Sequence, residues 1–174
     1  KVFTYSASHA SYYPGSTMLS IKVLFDKETG RLLGAQVVGF DGVDKRCDVL
    51  ATALRLGGTV QDLTELELCY APPFGSAKDP VNMAGFVAQN VMEGVVRQFH
   101  WSDVASLPRD GSVQLVDVRT AAEYARGHIE GFINLPLDSL RQRLAELTRG
   151  KPVYLHCHSG LRSYIACRIL TGEG

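Results

Sequence analysis

Residues 156–164, HCHSGLRSY, follow the apolar run Val153-Tyr154-Leu155, and their reading decides how the second half of the chain folds. One cysteine is flanked by two histidines; Gly160, Arg162 and a run with helical character come next. Such a stretch could be a metal site, half of a disulfide, a phosphate cradle or a reactive sulfur. PVYLHC (152–157) reads as a buried strand, and Ser163–Leu170 reads as a helix. The backbone therefore leaves a strand, turns through Gly160 and enters a helix. A turn of this kind aims successive N–H groups inward, and the helix N-terminus adds about half a positive charge. Arg162 supplies a full one. Together they are expected to pull the Cys157 thiol below the free value of about 8.5 and hold a thiolate at neutral pH. A thiolate in an anion cradle is a nucleophile, and the anion it acquires is held by the same donors.

The competing readings are weaker. Neighbours on a strand point to opposite faces, so His156, Cys157 and His158 do not converge on one ion. The chain also lacks a second ligand pair at C-x-x-C or H-x-x-x-H spacing, so no metal is expected. A disulfide from Cys157 to Cys167 would span more than two turns of the following helix, too far at about 1.5 Å per residue. A lone cysteine after a buried strand is most often a small core residue, a role that suits Cys167 better than Cys157. His128, in GHIEG, reads as a surface or strand-capping histidine.

Upstream of the loop, SVQLVDV (112–118) reads as a second buried strand. Thr120-Ala-Ala-Glu123 is a capping box that opens a short helix ended by Gly127. Leu137, Leu140, Leu144 and Leu147 mark a further helix. Strands alternating with helices predict a parallel α/β sheet, whose sites lie beyond the carboxyl ends of strands, where Cys157 falls.

The pattern restarts at Phe99-His100-Trp101-Ser102, which places a boundary near residue 98. Before it, TMLSIKVLF and RLLGAQVVGF are strand-like runs joined by DKETG, a hairpin turn, after an opening Val2–Tyr5 and the turn SYYPGST. A helix is expected on the stripe Val43, Cys47, Leu50 and Leu54, stopped by Gly57-Gly58. Asp79 caps a second helix with Pro80 at its first position and Ala84, Val87, Val91 and Val95 as its buried stripe. The expected organisation is an α+β domain with an antiparallel sheet over 1–98, followed by an α/β domain with a parallel sheet over 99–174.

Composition sets the outer limits. The 174 residues are 45% apolar and 21% charged, as in globular protein. Lys plus Arg and Asp plus Glu are both 18, so charge gives no reason to expect nucleic acid or anionic lipid. No apolar run reaches the roughly eighteen residues of a membrane helix, and no membrane association is expected. Four scattered cysteines favour a reducing, cytoplasmic setting with one functional thiol.

LVDVRTAAEYARGHIEGFINLPL followed by CHSGLRS resembles a rhodanese-type sulfurtransferase domain. The family pattern is met at Asp117, Arg119, Glu123, Gly127, His128, Gly131, Asn134, Pro136, Cys157, Gly160 and Arg162, with Phe132 in place of the usual alanine. The resemblance implies that Cys157 takes sulfane sulfur as a persulfide, with Arg162 catalytic beside it. His158, Ser159, Gly160, Leu161 and Ser163 would line the anion-binding loop. Four residues separate Cys157 from Arg162, the sulfur-transfer size; related phosphatases carry one more, so a phosphatase or arsenate reductase is disfavoured. The family usually continues past the last helix with a further strand and helix, so the domain is expected to be incomplete at its C-terminal end.

The first half, from YYPGSTMLSIKVLF to YAPPFGSAKDPVN and beyond, is similar to the C-terminal dimerisation domain of pyridine nucleotide-disulfide oxidoreductases. The nearest branch is the CoA-disulfide reductases fused to a rhodanese domain. This resemblance implies a homodimer, FAD and CoA in the whole enzyme, and NAD(P)H as reductant. CoA persulfide, CoA disulfide or polysulfide would be the substrate. It implies that Tyr70, before Ala-Pro-Pro, and Tyr12, in YYPG, serve catalysis across the subunit interface, with Lys78 and Asn82 as contacts for CoA or the flavin edge. No G-x-G-x-x-G occurs in the chain, so the flavin and nicotinamide domains are expected upstream of Lys1. Two rival expectations are a non-catalytic dimerisation and sulfur-binding module and an NADH oxidase-type flavoenzyme with an accessory rhodanese domain.

Overall fold

The strict alternation in MLSIKVLF puts Leu19, Ile21, Val23 and Phe25 on one side of a strand, and all four are buried. In the computed structural model, which describes residues 1–174, this strand, β2 (Met18–Phe25), is the centre of an antiparallel sheet. It pairs with β1 (Val2–Ala7) on one edge and β3 (Leu32–Gly39) on the other. The DKETG hairpin closes as its residues dictate. Asp26 Oδ1 accepts the N–H groups of Glu28 and Thr29 at 3.0 and 2.8 Å, and Gly30 takes φ +74°.

Three helices cover the buried face: α1 (Val43–Arg55), α2 (Val60–Glu65) and α3 (Pro80–Met92). Leu50, Val60, Leu63, Val81, Ala84 and Ala88 meet the inward residues of the sheet in one core. Where α2 and α3 cross, a Cβ on Gly85 would stand 2.9 Å from Leu63 Cβ and 3.0 Å from the Thr64 nitrogen, so only glycine allows that approach. Asp79 caps α3 as its sequence predicts, accepting the Val81 N–H at 3.0 Å.

Three details of this half depart from the expected pattern. The helix α2 was not legible as a run of periodic residues, because six residues are less than two turns; its Thr59–Asp62 capping box defines it. Cys47 is exposed, because the inward face of α1 is set by Arg46, Val49 and Leu50. Arg46 is 1% exposed and makes four hydrogen bonds inside, forking onto Asp79 (3.3 and 2.8 Å) and donating to the carbonyls of Ser8 and Gly42. Finally, α3 ends at Met92, with Gly94 at φ +68°, so Val95 lies beyond the helix.

The chain divides into two compact units, Lys1–Arg97 and Gln98–Gly174. The second is built on a parallel sheet of order β5-β4-β6, with β4 (Gln114–Asp117) at its centre, β5 (Ile133–Asn134) and β6 (Val153–His156). The helix α4 (Ala121–Arg126) begins at the Thr120–Glu123 capping box, and α5 (Leu161–Glu173) follows β6. Val116, Val118, Leu135, Leu140 and Ala166 form its core. The leucines expected on one α-helix lie instead on two 3-10 turns, Leu137–Gln142 and Leu144–Glu146, interrupted at Arg143. Spacings of three suit a 3-10 turn as well as an α-helix, and the leucines still face the core. No helix is long and apolar enough to cross a membrane.

Candidate functional site

Strand β6 delivers Cys157 to the carboxyl end of the sheet, and the chain then reverses through Gly160 at φ +102° to start α5. That left-handed value favours glycine, and it folds the loop back over the sulfur. The Gly160 N–H donates to Cys157 Sγ at 3.1 Å and the Ser163 N–H at 3.4 Å. The thiol donates to Ser163 Oγ at 3.5 Å, while that hydroxyl donates to the Gly160 carbonyl at 2.9 Å. Burial alone would push the thiol up. The Ser163 hydroxyl, which can turn to donate to the thiolate, and the backbone N–H groups of Ser163, Gly160 and Ser159 outweigh it and hold the thiol below its ordinary value. Alkylation of Cys157 by iodoacetamide should therefore persist to lower pH than for a free thiol. A midpoint at or above that of a free thiol would mean that the N–H groups do not stabilise the thiolate.

Arg162 feels the charge of the Cys157 sulfur but makes its side-chain hydrogen bonds elsewhere. Its two terminal nitrogens fork onto Glu123 at 2.7 and 2.8 Å, and the donors around Sγ are backbone N–H groups and Ser163. The guanidinium keeps the Glu123 carboxyl far below the usual carboxylate range. Glu123 is fixed in turn by Thr120, whose N–H and hydroxyl donate to it at 3.0 and 2.9 Å. Its two tasks, cap and counter-ion, are 39 residues apart from Arg162 in sequence, which is why the capping box signalled only the first.

A second clamp stands at the end of β4. Asp117 is fully buried and receives Arg119 through its N–H at 2.9 Å, Nε at 3.0 Å and Nη2 at 2.6 Å. Burial pushes this carboxyl up, and the Arg119 hydrogen bonds more than reverse the effect. Asn134 donates to the carbonyls of Asp117 and Arg119, tying β5 to the same corner. His156 Nε2 lies 3.1 Å from Asp117 Oδ2, yet at an angle that makes no hydrogen bond. The D-V-R signature was readable in sequence, but its job as a clamp follows only from the fold. Of the other loop residues, His158, Ser159 and Leu161 are exposed. His128 stacks on Tyr124 at 3.8 Å between ring centroids.

The first unit holds a separate cluster. Tyr12 and Tyr70, 58 residues apart, bring their hydroxyls to 3.3 Å. Both rings are largely exposed, at 76% and 52%, so packing within the chain does not account for their position. The hydrogen bond that Tyr12 shares with Tyr70 holds its proton and raises the Tyr12 phenol above its ordinary value. Lys78 is exposed, with its ammonium over the Phe86 ring at 4.8 Å. Asn82 is 5% exposed and is committed internally, donating to the carbonyls of Leu63 and Leu66 and accepting the Asp79 N–H.

Comparison with known proteins bears on both units. Residues 1–80 match the pyridine nucleotide-disulphide oxidoreductase dimerisation domain, and residues 100–174 match the rhodanese-like domain. A coenzyme A disulfide reductase of Staphylococcus epidermidis is 48% identical over 82 residues, covering 47% of this chain and 19% of the relative. The structure of reduced Bacillus anthracis CoADR-RHD superposes with a TM-score of 0.94 at 47% identity, over 99% of this chain and 31% of that one. A NAD-dependent persulfide reductase from A. fulgidus does so with a TM-score of 0.86 at 37% identity, again over 99% and 31%. The chain thus spans about a third or less of the length of these relatives.

Proposed function

We propose that this chain, whose residues 1–80 match the pyridine nucleotide-disulphide oxidoreductase dimerisation domain and residues 100–174 the rhodanese-like domain, is the assembly and sulfur-carrying part of a CoA-disulfide or CoA-persulfide reductase. The observation that carries the reading is the convergence of the Ser159, Gly160 and Ser163 N–H groups on Cys157 Sγ. In the proposed step the thiolate attacks the outer sulfur of a persulfide. The donor S–S bond breaks, the donor thiol leaves with the bonding pair, and Cys157 keeps the sulfur as a persulfide. No external oxidant is needed, because one sulfur–sulfur bond replaces another.

NAD(P)H would supply the reducing electrons in the whole enzyme, and FAD would relay them. The residues present here do not fit either group. No G-x-G-x-x-G occurs, and the one glycine turn that leads from a strand of the parallel sheet into a long helix, at Gly160, closes over the Cys157 sulfur. This chain's part is to pair subunits, to carry sulfur and to present Tyr12 and Tyr70. A homodimer agrees with the outward apolar residues of the antiparallel sheet, Phe3, Tyr5 and Leu33, which are 54%, 51% and 61% exposed.

Turnover separates an active sulfurtransferase from a module that only binds sulfur. The chain is loaded with a thiol persulfide and then given CoA or cyanide as acceptor. Catalytic release of many sulfur equivalents per chain is the expected outcome. A single equivalent that stays on the protein would leave only the binding role.

A further inference from the structure

The two arginines that the fold gathers around the Cys157 loop are both neutralised. Arg162 is forked onto Glu123 and Arg119 onto Asp117. The four are close enough to feel one another, since Arg119 senses Glu123 and Arg162, and Arg162 senses Asp117 and the Cys157 sulfur. Asp117 is buried and its clamp is part of the sheet, whereas the Arg162–Glu123 pair is about 30% exposed on both sides. Glu123 is also held from behind by Thr120, so the carboxylate has a fixed position facing the guanidinium.

We infer that Glu123 sets the charge of the sulfur donor: by neutralising Arg162 it makes the Cys157 loop selective for thiol persulfides, whose reacting end carries at most one negative charge, over dianions such as thiosulfate. The inference rests on the persulfide reading of Cys157. A thiolate already carries one charge, and what attracts an arriving anion is otherwise only N–H dipoles and one hydroxyl. A free guanidinium would offset the repulsion of a second negative charge; a paired one does so poorly. Both transfers balance in the same way. With a persulfide the donor S–S bond breaks and a thiolate leaves. With thiosulfate the outer sulfur is taken and sulfite leaves as the dianion, which the same pairing leaves unstabilised.

The test is Glu123→Gln in the 174-residue chain, because glutamine at this position can keep the capping box while removing the charge. Thiosulfate and 2-mercaptoethanol persulfide are the two donors, and kcat/KM is measured for each. One unpaired charge several ångströms away at intermediate dielectric corresponds to about five- to tenfold, so thiosulfate should gain by that factor while the persulfide changes less than about twofold. The gain should shrink in about 1 M salt. Arg162→Gln, which leaves Glu123 unpaired, should shift the ratio the other way and serves if the first variant fails to fold. Equal changes for both donors in either variant would reduce the pair to a structural tie and overturn the inference. No sulfur on Cys157 of the unchanged chain from either donor would overturn the persulfide reading itself.

Discussion

Cys157→Ser should lose sulfur transfer by about 10³-fold or more, the order met when an enzyme's nucleophile is removed. The hydroxyl fills nearly the same space and can still accept from the Gly160 and Ser163 N–H groups, so the loop and the fold should survive. What is lost is the ionised atom. A serine hydroxyl is not an anion at neutral pH, and the donors around it are N–H groups that stabilise charge without removing a proton. The loss should therefore appear in kcat, with an unchanged melting temperature. Substantial residual transfer would mean that another cysteine carries the sulfur. Cys47 and Cys69 are exposed and would be the first to examine; Cys167 is half-buried inside α5.

The second large effect is expected at Tyr70. In the flavin-bearing dimer, Tyr70→Phe should slow reduction of CoA disulfide or CoA persulfide by about 10²–10⁴, the usual worth of a positioned acid or charge-stabilising donor. Two hydroxyls at 3.3 Å share one hydrogen bond, which leaves one O–H proton of the pair to give outward. The bond raises the Tyr12 phenol, so Tyr12 donates to Tyr70, and the Tyr70 O–H is the one left to face a departing thiolate. Tyr70 lies just before Ala71-Pro72-Pro73, a segment with two fixed φ angles and no N–H at either proline, which limits where the ring can go. Sulfur loading of Cys157 should be unaffected, because the tyrosine pair belongs to the other unit of the chain. A lower melting temperature with unchanged reductase turnover would assign Tyr70 to packing.

The sequence was most informative where local chemistry alone determines the structure. Alternation fixed β2, the Asp79 and Thr120 caps fixed the starts of α3 and α4, and the strand–glycine–helix order fixed the turn at Cys157. It was least informative where a residue's role depends on a partner far along the chain. Arg46, on a helix whose apolar stripe seemed to run through Cys47, is buried because Asp79 lies 33 residues away to receive it. Arg162 reads in sequence as the charge beside the sulfur; that its hydrogen bonds go to Glu123, 39 residues earlier, was not legible. The leucines of 137–147 kept their inward positions although the expected helix became two 3-10 turns, because burial selects the side-chain face and not the exact hydrogen-bond ladder. Asn82 had the same ambiguity: a polar residue at a helix start can meet a ligand or cap the helix, and here its amide is committed to Leu63, Leu66 and Asp79.

The central claim is that Cys157, and no other thiol of this chain, carries sulfane sulfur. All four cysteines are free, so each serves as a control for the others. The chain is incubated with a thiol persulfide, residual thiols are blocked, and the peptides are weighed by mass spectrometry. The expected result is an added mass of about 32 Da, one sulfur atom, on the peptide containing Cys157 alone. The same adduct on Cys47, Cys69 or Cys167 with none on Cys157, or an adduct that survives Cys157→Ser, would contradict it.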